Sequence, residues 1–277
     1  MDKLDKIPRP RNVDYVDTSV GGIPAIVATP TEVQSDRHIL YIHGGGYVLG
    51  SPKSHIAMCA RLAKRAAATI TVIDYRLAPE HVYPAAIDDC VAAYRAIIAD
   101  IDPALVTIAG DSAGGGAALA TIGALKAAGD PLPGAVYVLS PWTDLTASGE
   151  SVVTRAPFDP MFDGNGLLDA ATTYAGDTPL DDPGVSPLFA DPTGYPPTLI
   201  QTGMDEILLS DSIRLAERYE AAGVDVRLDL RDDLWHVYPM LAGYMPEATD
   251  ALIRAAVFIR EKTPAPLPGA HKVAVPA

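Results

Sequence analysis

The sequence is poor in cysteine and in positive charge. Only Cys59 and Cys90 occur in 277 residues; neither has a Cys or His neighbour at metal spacing, and two thiols make no disulfide framework. We therefore expect both to be small buried side chains in a reducing cytoplasm. Lys and Arg number 21 against 35 Asp and Glu, and they form no run. Nucleic acid and anionic membranes require a basic surface, so we expect neither as a partner.

Long apolar segments are also missing. No stretch approaches the roughly 20 apolar residues that a membrane-spanning helix requires. The first six residues are charged and lack the apolar core of a secretion signal. These features predict a protein without a membrane segment or secretory leader, located in the cytoplasm.

The sequence does contain alternating strand-like and helix-like segments. The predicted strands comprise residues 14–20, 23–28, 38–43, 69–75, 105–109, 135–139, 198–202 and 225–230. The predicted helices comprise residues 54–67, 84–99, 114–128, 211–222 and 246–261. This alternation indicates an α/β fold with a mostly parallel sheet and helices on both faces. The first two strands, joined at Gly21-Gly22, predict an antiparallel hairpin at its edge.

Residues 142–197 interrupt this alternation. They are rich in Asp, Pro and Gly and contain one good helical stretch, residues 167–174. We interpret them as a small cap inserted over the sheet of a single domain that spans residues 1–277.

A serine lies on a predicted turn between a strand and a helix, in Gly110-Asp111-Ser112-Ala113-Gly114. Small neighbours allow such a turn to close tightly, and the turn exposes the serine hydroxyl at the carboxyl edge of the sheet. The helix that follows favours negative charge at its amino terminus. A G-x-S-x-G motif alone is a weak signal, because it also occurs by chance.

A glycine-rich segment, His43-Gly44-Gly45-Gly46-Tyr47, follows an earlier strand. It lacks the Lys-Ser or Lys-Thr of a phosphate loop, and no G-x-G-x-x-G of a dinucleotide site follows a strand. The amides of Gly44 and Gly45, joined by that of Ala113, instead predict an oxyanion hole for acyl transfer.

The acid and the base should follow the serine in the order acid, then histidine. His236 follows the last predicted strand and is the candidate base, whereas His271 lies in the tail. Asp205 and Glu206 follow the preceding strand, and Asp205 is preferred because it lies closer to the strand end. Glu206 is the alternative acid.

These motifs resemble those of the hormone-sensitive-lipase-like esterases, the bacterial family IV carboxylesterases of the α/β-hydrolase fold. The resemblance also includes the stretches Asp74-Tyr75-Arg76-Leu77-Ala78-Pro79-Glu80 and Ser140-Pro141-Trp142-Thr143-Asp144. It implies a Ser112, Asp205, His236 triad, an ester substrate of small to medium chain length, no cofactor or metal, and a homodimer. The family commonly has Asp-Pro-Leu at the acid, where this chain has Asp205-Glu206-Ile207. The N-terminal segment of this chain, residues 1–12, is shorter than in most members of the family. We therefore expect it to contribute little to the cap.

Several side chains are candidates for the substrate pocket: Tyr47, Asp111, Trp142, Phe158, Met161 and Phe162. For the four in the cap, packing within the cap core is the equal alternative. The same triad would also hydrolyse a lactone, an amide or a carbamate, because all of these pass through a similar oxyanion. A binding protein on a hydrolase fold that has lost its activity is a further alternative, which an intact triad argues against. A purely structural module is the last alternative.

Overall fold

The computed structural model describes residues 7–32, 35–162 and 164–264. One sheet of eight strands runs through this part of the chain, in the order β1-β2-β4-β3-β5-β6-β7-β8. β2 pairs antiparallel with both β1 and β4, and all other pairs are parallel. The strands are β1 (Val13–Val20), β2 (Ile23–Pro30), β3 (His38–Ile42), β4 (Thr69–Ile73), β5 (Val106–Asp111), β6 (Ala135–Leu139), β7 (Thr198–Gly203) and β8 (Val226–Arg231).

Helices cover both faces of this sheet. The helices are α1 (Pro52–Ala66), α2 (Ala85–Ile98), α3 (Ala113–Ala128), α4 (Ser151–Thr154), α5 (Leu167–Ala175), α6 (Leu209–Ala221) and α7 (Pro246–Lys262). α1 and α7 pack on one face, and α2, α3 and α6 pack on the other. The mostly parallel sheet with an antiparallel N-terminal hairpin is confirmed. None of the helices in the described ranges combines the length and apolarity needed to span a membrane.

The central strands read as continuous apolar runs because both of their faces are covered. Every residue of β3 and β6 is buried, whereas most of β1 is exposed at the sheet edge. α1 begins two residues earlier than predicted, at Pro52. Proline suits the first helical turn, because its φ is already helical and no intrahelical bond needs its missing NH.

The inserted segment contains little regular structure. Its one predicted helix is confirmed as α5, and the four-residue α4 is too short to leave a periodic signal. At the other end of the chain, Pro8 and Arg11 accept hydrogen bonds from Arg61 and Lys64 of α1 through their carbonyl oxygens. The first six residues of the predicted N-terminal cap contribution lie outside the described ranges.

His38, the first residue of β3, predicts a pH dependence of stability. Burial lowers the pKa of His38 to about 4, from about 6.5 in an unfolded chain. Between these values the unfolded chain binds a proton that the folded chain does not, so stability falls as the pH is lowered from 6.5 to 4. The His38→Gln variant lacks this titration. Over this pH range the free energy of unfolding of the wild type should therefore fall by about 3 kcal/mol more than that of His38→Gln.

Urea unfolding of both proteins at several pH values from 7 to 4 measures this difference. Glutamine is the matched replacement, since its amide can keep the 2.8 Å hydrogen bond between the His38 ring and the Thr71 hydroxyl. Curves that stay parallel across this pH range would show that His38 takes up a proton equally well in both states.

Candidate active site

Ser112 occupies a sharp turn between β5 and α3. Its φ of 53° and ψ of −124° lie outside the regions that non-glycine residues favour. The turn is held by the next strand: the Ser112 NH donates to Leu139 O at 2.9 Å, and the Trp142 NH donates to Ser112 O at 2.9 Å. At Gly114 a Cβ would overlap the carbonyl oxygen of Ile42, so only glycine lets α3 begin this close to β3. The predicted strand–turn–helix geometry around the serine is present.

The glycine loop is braced by Asp111, the residue before the serine. Asp111 Oδ1 accepts hydrogen bonds from the Gly44 NH at 3.1 Å and from the Tyr41 hydroxyl at 2.8 Å. Its Oδ2 lies 3.4 Å from His55 Nε2. Burial alone would raise the pKa of Asp111, but the His55 imidazole and the Tyr41 hydroxyl outweigh it and lower the pKa below its usual value. An ionised carboxylate therefore holds the loop by the Gly44 amide.

This contact changes the set of oxyanion donors that the sequence suggested. The Gly44 NH already has a partner, so it is not free to bind a substrate oxygen. Within the described residues, the amides of Gly45 and Gly46 donate no hydrogen bond, and both residues line the cavity in front of Ser112. Ala113 is the first residue of α3, where amides lack an intrahelical acceptor. The free donors are thus Gly45, Gly46 and Ala113 rather than Gly44, Gly45 and Ala113.

His236 lies in the loop after β8 and lines the same cavity as Ser112. The imidazole is buried, and the ring of Phe162 meets it edge-on with centroids 5.0 Å apart. The residue predicted as the base and Ser112 therefore line one cavity.

The carboxylate beside His236 belongs to Glu206. His236 Nδ1 lies 3.3 Å from Glu206 Oε1, and both side chains are buried. Asp205 is turned the other way: its side chain is 31% exposed, and its carboxylate lies 3.8 Å from Arg155, which follows α4. The predicted pairing of His236 with Asp205 is therefore wrong, and the alternative acid occupies the position.

Position in the sequence does not tell which of Asp205 and Glu206 contacts His236, because the two residues are adjacent on one turn. The Asp205 NH donates to Leu234 O at 2.9 Å and so holds the turn after β7. On this turn Glu206 is buried against His236, whereas Asp205 is partly exposed near Arg155. The available signal was the departure from the common Asp-Pro-Leu: an ionisable residue directly follows Asp205 here.

A largely apolar cavity of about 270 Å³ opens in front of Ser112. Four of the six predicted pocket residues line it: Asp111, Trp142, Met161 and Phe162. Tyr47 does not line the cavity. It is buried in the core and stacks on Tyr174, with the two ring centroids 3.6 Å apart. Phe158 is 61% exposed and is likewise not part of the cavity wall.

Other wall residues lack any motif and were missed by the sequence. They come from the chain just after the glycine-rich segment, from α5 and from the loops after β7 and β8: Val48, Leu49, Leu167, Ala170, Ile207, Leu208, Val237 and Met240. The elements that supply them lie far apart in sequence, so no local pattern groups them.

Comparisons with known proteins relate the chain to hydrolases over most of its length. A family model described as the alpha/beta hydrolase fold matches residues 39–240. An acetyl-hydrolase of Streptomyces hygroscopicus is 40% identical over 231 residues, which cover 83% of this chain and 77% of the relative. An esterase of Acinetobacter venetianus is 40% identical over 229 residues, 82% of this chain and 76% of the relative.

Solved structures agree with these relatives. An esterase from the bacterial hormone-sensitive lipase family superposes with a TM-score of 0.92 at 40% identity, covering 95% of this chain and 89% of that chain. A hormone-sensitive-lipase homologue from a metagenome library gives the same TM-score and identity, covering 95% and 90%. The similarity therefore extends well beyond the motifs to 95% of the chain.

Proposed function

Because the chain belongs to the hormone-sensitive-lipase-like esterases of the α/β-hydrolase fold and is a carboxylesterase, we propose that Ser112, His236 and Glu206 perform its reaction. The family, fold and activity that the motifs predicted are confirmed. The observation that carries the assignment of residues is the contact of His236 with Glu206 at the wall of the cavity that Ser112 also lines.

In the proposed reaction, Ser112 Oγ attacks the carbonyl carbon of an ester while His236 Nε2 takes the hydroxyl proton. A carboxylate only accepts hydrogen bonds, so Glu206 keeps the proton of the neutral imidazole on Nδ1 and leaves Nε2 free as the base. The amides of Gly45, Gly46 and Ala113 stabilise the oxyanion. His236 then protonates the departing alcohol, and water releases the acid from the acyl-enzyme by the same steps.

The cavity supports a small or medium-sized ester as substrate. Its volume of about 270 Å³ lies at the small end of ligand sites in proteins. Apolar side chains dominate its wall, which suits uncharged acyl and alcohol groups. Residues 142–197 act as the cap in this proposal, since Trp142, Met161 and Phe162 form part of the wall.

Covalent labelling tests this assignment. A p-nitrophenyl alkylphosphonate should release one equivalent of p-nitrophenol and leave the phosphonyl group on the peptide that contains Ser112, as found by mass spectrometry. A label on any other residue would overturn the proposed nucleophile. A panel of p-nitrophenyl esters from acetate to decanoate, compared with lactones, an anilide and a carbamate, should show the highest kcat/KM for the shorter esters.

We also propose a homodimer in the cytoplasm, on the basis of the family resemblance and the low cysteine content. Both cysteines are free and buried. Light scattering after size-exclusion chromatography should give twice the chain mass of 29.1 kDa, and a mass of one chain would contradict the dimer.

A further inference from the structure

Ser140, the residue directly after β6, is held in an unusual backbone conformation. Its φ is 43°, in the left-handed region that non-glycine residues rarely adopt. Its NH donates to Gln201 O of β7 at 2.7 Å, and the side chain is buried. The hydroxyl is therefore held in one place between the loops that follow β7 and β8.

The Ser140 hydroxyl joins the acid to the loop of the base. Its Oγ donates to Glu206 Oε2 at 2.7 Å and accepts the Val237 NH at 3.0 Å. The single hydroxyl proton goes to the carboxylate, which only accepts, so a lone pair of Oγ receives the Val237 NH. One hydroxyl thus contacts the acid and the residue that follows His236.

These bonds leave one carboxylate oxygen for the imidazole. Glu206 Oε2 also accepts a hydrogen bond from the Gly203 NH at 3.1 Å, so this oxygen accepts two hydrogen bonds from the protein. Oε1 then faces His236 Nδ1 at 3.3 Å. Without the Ser140 hydroxyl, Glu206 Oε2 would lose one of its two hydrogen bonds, and the carboxylate would be free to rotate more.

The loop of the base also depends on this contact. Val237 has a φ of 49°, which is costly for a β-branched residue and persists only where the surroundings impose it. The bond from the Val237 NH to Ser140 Oγ is one such constraint. It holds the backbone next to the imidazole.

We propose that Ser140 is a positioning residue for ester hydrolysis, acting through Glu206 and the Val237 amide. This inference rests on the proposed roles of Glu206 and His236. Misplacement of a catalytic group by about 1 Å costs on the order of 100-fold in rate. Ser140→Ala should therefore lower kcat about 10- to 100-fold, with KM changed less than twofold.

Two further variants separate the hydroxyl from the backbone. Ser140→Gly also removes the hydroxyl, but glycine adopts a φ of 43° without strain; it should be as slow as Ser140→Ala. Ser212→Ala is the matched control, since Ser212 is also buried and its hydroxyl has no hydrogen-bond partner in the described chain. It should keep the wild-type kcat. Wild-type activity in Ser140→Gly would overturn the proposal, because the backbone conformation alone would then suffice.

A double-mutant cycle tests whether Ser140 acts through the acid. In the Glu206→Gln background, Ser140→Ala should lower kcat less than threefold, because the carboxylate that it orients is already gone. An equal loss of kcat in both backgrounds would overturn the proposed route through Glu206. A different result would contradict the proposed function itself: an unchanged kcat in the single variant Glu206→Gln. Thermal unfolding midpoints of all variants identify those that fail to fold, and only folded variants enter the comparison.

Discussion

Replacing Ser112 with alanine is expected to lower kcat for p-nitrophenyl butyrate by about 10⁵- to 10⁶-fold. In serine hydrolases, loss of the nucleophile costs about as much as loss of the whole triad, because the remaining groups act only together with it. The residual rate would come from the oxyanion donors and from binding alone. Single-turnover and steady-state assays with purified protein measure the change in kcat.

The Ser112→Ala variant should fold as wild type does. The Ser112 hydroxyl makes no hydrogen bond to the described part of the chain, and the backbone of the turn is held by Leu139 and Trp142. The unfolding midpoint should therefore stay close to that of wild type, and the phosphonate should no longer attach. More than a few per cent of wild-type kcat in a protein free of contaminating esterase would remove Ser112 from the mechanism.

Replacing Glu206 with glutamine is the second change with a very large expected effect. An amide of nearly the same shape can donate as well as accept, so it no longer fixes the imidazole tautomer or stabilises its positive charge. The corresponding loss in other serine hydrolases is about 10⁴-fold in kcat. We expect a loss of that order for Glu206→Gln.

Asp205→Asn is the matched control for Glu206→Gln, since it makes the same chemical change one residue away. Asp205 is partly exposed and lies 3.8 Å from Arg155. Exposed ion pairs of this kind contribute about 0–1 kcal/mol to stability, so kcat should fall less than threefold. If Asp205→Asn instead lost the greater part of the activity, the contact of His236 with Glu206 would not be the one used in catalysis.

Local sequence determined the strand–turn–helix around Ser112, the place of His236 after the last strand, and the sheet. Small residues around Ser112 are required wherever a strand turns sharply into a helix, so the motif carries the geometry with it. Buried parallel strands need apolar side chains on both faces, and β6 and residues 39–42 of β3 are therefore continuous apolar runs. His236 followed from chain order, because the loops after successive parallel strands meet at one edge of the sheet.

Only the tertiary structure decided which carboxylate meets His236 and which glycine amides stay free. Asp205 and Glu206 are neighbours on one turn, and their surroundings come from distant segments, including the loop after β8 and Arg155. The Gly44 amide is engaged by Asp111, 67 residues away along the chain. Such choices depend on packing between segments, and the local sequence does not encode them.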